Sequence, residues 1–178
     1  MKEQMRIELH NETEYTERIS FQDIWTHASK LKHVGCRVAA ITDRNSVDGI
    51  HMAEYEFMRR GIQPIYGVTL NCIDIDDRYD VVLLAANLTG RDNIFRLIEL
   101  LENNRFSFGR AVTREQLDAH RKGILLGAAA KNGQIVRAIL HRRDQRYLET
   151  ITQDYDYLEF TSEPYDIAAT VVQLAAQG

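Results

Sequence analysis

His10 and Glu12 stand two positions apart, just past the short run Ile7-Glu8-Leu9, and Asp43 and Arg44 close a second run, Ala39-Ala40-Ile41-Thr42. A third carboxylate, Asp80, opens the apolar run Val81-Val82-Leu83-Leu84-Ala85-Ala86. Imidazoles and carboxylates are ligands for divalent cations. A guanidinium is a fixed cation with no lone pair to give. Strands that stop at polar residues project them at the mouth of a sheet or barrel, where α/β proteins place their sites. These strand ends therefore read as edges of one cleft.

The elements that must position them follow in order. Ser20-Phe21-Gln22-Asp23 offers a helix cap, followed by Ile24, Ala28, Leu31 and Val34 at helical spacing and Gly35 as a stop. A buried strand over residues 37–42 leads to a helix over about 47–60, which Gly61 ends. Residues 64–70 form a third strand, 74–78 a polar turn and 81–86 a fourth strand. A helix begins at Thr89-Gly90-Arg91-Asp92 with Ile94, Leu97, Ile98 and Leu101 on one face, and Thr113-Arg114-Glu115-Gln116 fits a capping box before a short helix. A fifth strand (123–129), helices over 133–141 and 144–152, a sixth strand (155–160) and a closing helix (165–176) complete the pattern. Strand–helix alternation with nearly continuous apolar strands predicts a parallel sheet or barrel. No linker or repeat divides it, so residues 1–178 form a single domain.

Composition narrows the function classes. The net charge of -4 argues against a dedicated nucleic-acid surface, and the basic group Arg137, His141, Arg142, Arg143 and Arg146 reads as a solvated helix face. No apolar run is long enough to cross a membrane. Cys36 and Cys72 lack metal or redox spacing and suit buried positions in a reducing cytoplasm. His27, His33 and His51 fall in helices at no metal spacing, and Gly67 and Gly127 read as close backbone approaches rather than phosphate cradles.

The blocks Ile7-Glu8-Leu9-His10-Asn11-Glu12-Thr13, Ile41-Thr42-Asp43-Arg44, Gly61-Ile62-Gln63-Pro64-Ile65-Tyr66-Gly67 and residues 80–93 resemble the polymerase-and-histidinol-phosphatase (PHP) domain. Gly123-Ile124-Leu125-Leu126-Gly127 and Tyr155-Asp156-Tyr157-Leu158-Glu159 are similar to PHP domains of bacterial DNA polymerase III α chains, the latter string to the PolC type. The resemblance implies a distorted (β/α)7 barrel with a metal cluster at the strand C-terminal ends. Six strands are legible, so the last strand is expected to be missing from this chain. It also implies an exonuclease insertion between strands three and four, and only residues 71–79 fill that gap here.

Against the family's pattern the metal positions have changed. A second imidazole is Glu12, the histidine of Thr-Asp-His is Arg44, a glutamate is Thr69, a histidine is Asp80, and a cysteine or histidine is Ala130; an acidic position aligns near Ile19. Arg44 cannot ligate and repels a divalent ion, and Thr69 and Ala130 remove two further donors. The expectation is a catalytically degenerate domain without a cofactor, holding His10, Glu12, Asp43, Arg44, Thr69, Asp80 and Ala130 as a vestigial cleft, with Arg44 salt-bridged to Glu12 or Asp80. Its partners would be the polymerase domains of a parent chain that synthesises DNA. One alternative is a metal-dependent phosphoesterase with weak Mg²⁺ or Mn²⁺ on His10, Glu12, Asp43 and Asp80. Another is a stand-alone interaction module. An open barrel edge also raises the expectation of self-association.

Overall fold

The computed structural model describes residues 6–16, 22–75, 77–161 and 165–176. Its elements are β1 (Arg6–Glu8), α1 (Ile24–His33), β2 (Cys36–Ile41), α2 (Ile50–Met58), β3 (Gln63–Asp74), β4 (Asp77–Ala85) and α3 (Leu88–Asn103). Then come β5 (Val112–Thr113), α4 (Arg114–Ala119), β6 (Ile124–Ala128), α5 (Gln134–Leu140), α6 (Gln145–Thr152), β7 (Tyr157–Leu158) and α7 (Tyr165–Ala175).

The strands make one curled sheet in the order β1-β2-β3-β4-β6-β7, with β5 added beside β3. β1–β2, β2–β3 and β6–β7 are parallel, whereas β4 is antiparallel to both its neighbours. This corrects the all-parallel expectation, and the cause is local. Asp74 pairs with Asp77 across a tight turn, a connection that permits only antiparallel pairing. The two strands also run further than the apolar pattern suggests, so most of the supposed acidic turn is ladder.

Three outer cores hold the helices on the sheet. Ile24, Ala28, Leu31, Ile50, Ala53 and Phe57 of α1 and α2 bury Ala39 and Ile41 of β2. α3 and α4 cover β3, β4 and β6 through Ile94, Leu97, Leu101 and Leu117. α5, α6 and α7 pack around Ala128. Each fully buried Leu, Ile or Phe in these layers contributes about 1.5–3 kcal/mol. The concave side holds the smaller cluster Ala40, Val82, Leu84 and Ala129, with Ile65 and Tyr157 beside it. There a Cβ on Gly127 would fall 2.3 Å from Cζ of Tyr157, so the ring can lie across β6 only because that position lacks a side chain.

Local signals decide the element ends. Asp23 itself caps α1 by accepting from the Thr26 amide, whereas Ser20 and Phe21 lie outside the described residues. Asn87 caps α3, two residues before the expected start. The Thr113–Gln116 capping box forms as the sequence predicts. The sixth strand shrinks to two residues, because Tyr155 turns its hydroxyl to Gln134 and the Asp156 carboxylate accepts from the Leu126 amide. Both cysteines are buried thiols, and no helix among the described residues is long and apolar enough to cross a membrane.

Candidate functional site

Asn71 and Asp80 face each other in the β3–β4 register, and between them they clamp Arg44. The Arg44 guanidinium donates from Nη1 to Asn71 Oδ1 (3.0 Å) and Asp80 Oδ1 (2.8 Å), and from Nη2 to Asp80 Oδ2 (2.5 Å). This is the bidentate fork that only arginine can offer a carboxylate. The Asp80 side chain is 6% exposed and that of Arg44 24%, so the pair is largely withdrawn from water. Of the two partners the sequence allowed for Arg44, the structure selects Asp80. Because β4 is antiparallel, its early residue Asp80 lies beside the C-terminal ends of β2 and β3. Backbone pairing fixes the geometry: the Asn45 amide donates to the Thr69 carbonyl, the Thr69 amide to Asp43 and the Asp80 amide to Asn132.

His10 forms a second ionic centre. Its Nδ1 lies 2.8 Å from Glu159 Oε2 and its Nε2 3.8 Å from Glu12 Oε1. Burial alone would lower the imidazole's pKa, but the hydrogen bond to Glu159 and the negative charges of Glu12 and Glu159 outweigh it and push it up to about 9. The nearby imidazolium of His10 holds the Glu12 carboxyl below its ordinary value against burial, helped by the charges of Arg44 and Lys131. With no metal beside it, the imidazole is held in its protonated form by the two carboxylates, a donor at both nitrogens.

The remaining positions face inward or are inert. Asp43 is 1% exposed and accepts from the Thr13 amide (2.5 Å), the Thr13 hydroxyl (2.8 Å) and the Thr16 hydroxyl (2.8 Å). Burial raises its pKa while those three hydrogen bonds oppose the rise. Its task is to tie the segment after β1 to the end of β2. The buried Thr69 hydroxyl donates to the Thr42 carbonyl at 3.0 Å. Ala130, two residues beyond β6, offers only a methyl group. Ile19 lies outside the described residues.

Of the seven residues singled out by sequence, His10, Glu12, Arg44 and Asp80 thus supply two ionic clusters, and Asp43 and Thr69 serve as internal ties. A two- or three-metal centre needs several lone-pair donors for each ion. This set does not fit one: Arg44 has no lone pair to give, Asp80 holds Arg44, and Asp43 already accepts three hydrogen bonds. Among the described residues no three His, Cys, Asp or Glu side chains group as a metal holder.

Sequence reasoning passed over Glu159 and Asn71. The rule that picked His10 and Asp43, a polar residue just past a short strand, also picks Glu159. Asn71 becomes visible only once the β3–β4 register is known. His27, which sits in a helix at no metal spacing, donates from Nε2 to Asn11 Oδ1 at 3.0 Å, with its pKa lowered by burial.

Comparison with known proteins agrees with this architecture. The family model for the PHP domain matches residues 8–162. The chain is 35% identical over 81 residues to the PolC-type DNA polymerase III of Bacillus subtilis (strain 168), a stretch that is 46% of this chain and 6% of that protein. It is 25% identical over 135 residues to the DNA polymerase III subunit alpha of Helicobacter pylori (strain 26695), covering 71% of this chain and 11% of that one. The chain therefore corresponds to about a tenth or less of these curated relatives. A crystal structure described as a metal-dependent phosphoesterase from Bifidobacterium adolescentis superposes with a TM-score of 0.61 at 12% identity, over 98% of this chain and 84% of that one. That likeness extends to the fold. With the family model matching residues 8–162, this chain belongs to the PHP domain family.

Proposed function

We propose that this domain is catalytically silent and serves a structural role within a replicative DNA polymerase III α chain of the PolC kind, packing against the polymerase domains that carry out synthesis. The observation that carries this reading is the Arg44–Asp80 clamp, in which a guanidinium occupies the position where the family resemblance expects a metal-binding imidazole. His10 lodged between Glu12 and Glu159 supports it, because the imidazole is already engaged by the protein's own carboxylates. The similarity to PolC-type chains supports the choice of parent. The same reading implies a cytoplasmic location, to which two buried free thiols are suited.

Elemental analysis for bound metal, paired with calorimetric titration of Mn²⁺, tests the silent state. Absence of metal and of binding heat is the expected result. Stoichiometric binding that His10→Ala abolishes would overturn it and favour a surviving phosphoesterase site. The structural role is tested by whether the domain co-purifies with the polymerase domains when the two are expressed as separate pieces.

A further inference from the structure

α1 and α2 bury one side against the sheet and turn the other outward. The outward side carries large residues: Trp25, Met52 and Tyr55 are each more than half exposed. Met52, Tyr55 and Arg59 stand at i, i+3 and i+7, so they share one face of α2 and the turn that ends it. A run of contacts joins this face to α1. The Arg60 guanidinium lies 5.6 Å from the Trp25 ring centre and donates from Nη2 to Ser29 Oγ at 3.1 Å. Its Nη1 donates to one carboxylate oxygen of Glu56, and the other oxygen accepts from Arg59 Nη1 at 3.2 Å. Arg59 in turn lies 5.8 Å from the Tyr55 ring centre. The Glu56 side chain is 7% exposed, whereas that of Arg59 is half exposed. One buried carboxylate thus holds two guanidiniums beside two exposed aromatic rings.

Trp, Tyr, Met and Arg are the residue types that protein interfaces concentrate at their centres. Long side chains fixed before a partner arrives also lower the ordering cost of binding. Arg59 is the outward guanidinium of the pair. It gives Glu56 a single Nη1 bond, and a guanidinium has five N–H donors whose fork matches a carboxylate. Two copies of the chain meeting on this face would bring Arg59, Arg60 and the exposed Lys32 against like charges, which opposes pairing. A segment with carboxylates beside apolar side chains complements both the rings and the cations. We infer that the outer face of α1 and α2 docks such a segment, carried by the polymerase part of the parent chain. The inference rests on the structural role proposed above and names the surface through which that role is exercised.

Trp25 is the one tryptophan of the chain, so a fluorotryptophan label reports on this face alone. The full chain, labelled in this way, is titrated with the polymerase domains of the parent expressed as a separate piece. The expected result is a shift of the single fluorine resonance, with an affinity that Trp25→Ala and Arg59→Glu each weaken about tenfold or more, read by interferometry on unlabelled chain. Arg146→Glu on α6 and Phe160→Ala, both exposed elsewhere, should leave the affinity unaltered. Trp25 and Arg59 are exposed, so their variants should melt near the wild-type temperature. Association that leaves the resonance in place, or that neither variant weakens, overturns this inference while the structural role stands. Failure of the wild-type chain to associate at all overturns both. A resonance that moves with the chain's own concentration, without the polymerase piece, assigns the face to a second copy and also overturns the inference.

Discussion

His10 and Glu159 meet at 2.8 Å although they follow strands at opposite edges of the sheet, β1 and β7. No ladder joins those two strands. The ion pair, with Glu12 on its other side, is a side-chain link across the sheet's open flank.

This link makes stability depend on pH in a defined direction. The folded pKa of His10, about 9, lies above its ordinary value of 6.5. The contribution is complete below about pH 6.5 and is lost as pH rises through about 9. The side chain is about one-third exposed, so after solvent screening roughly 1–2 kcal/mol is expected. Urea midpoints should fall between pH 6.5 and 9.5 for the wild type and stay flatter for His10→Gln. A wild-type profile as flat as the variant's would mean that the pair does not form in solution.

The Arg44–Asp80 clamp should behave as a coupled unit. Arg44→Met leaves a nearly buried carboxylate unpaired, and Asp80→Leu strands the guanidinium, each costing about 2–4 kcal/mol. The double variant should be more stable than the sum of the two losses allows, with a coupling of about 1–3 kcal/mol from a denaturation cycle. Additive losses would show that the fork contributes nothing beyond its separate halves.

Asp43 should matter to folding and not to metal affinity. Asp43→Ala removes the acceptor for the Thr13 amide and for the Thr13 and Thr16 hydroxyls, all buried. A loss of about 2–4 kcal/mol is expected. Any Mn²⁺ binding heat should be the same in the folded variant as in the wild type. A stable Asp43→Ala protein with altered Mn²⁺ binding would return Asp43 to the role of ligand.

Among the described residues, the edge strands β1 and β7 are three and two residues long. Edges this short give another strand little backbone to pair with. Self-association through the open edge, expected when the sequence suggests a missing strand, is therefore expected to be weak. Light scattering should return the monomer mass at micromolar concentrations, and a mass that rises steeply with concentration would show that the edge pairs after all.

The sequence made much of this architecture legible. The apolar runs at residues 37–42 and 123–129 and the periodicity of Ile94, Leu97 and Leu101 are local patterns, and local patterns survive into the fold. The position of Asp80 is different. Its relation to Arg44 depends on the direction of β4, which is set by a turn and not by the strand's own residues. Periodicity carries no information on direction, so the antiparallel strand was invisible. Glu159 meets the strand-end rule, but its pairing with His10 is not legible because the two lie 149 positions apart. The inward turn of Asp43 depends on two threonine hydroxyls whose orientation no spacing rule reports.

That separation between His10 and Glu159 has a consequence for the order of assembly. The β3–β4 hairpin closes over a turn of a few residues and can form early, whereas the pair at the open flank requires nearly the whole chain to be present. During synthesis β1 can join β2, and His10 can meet Glu12, before the Glu159 half of the link has left the ribosome.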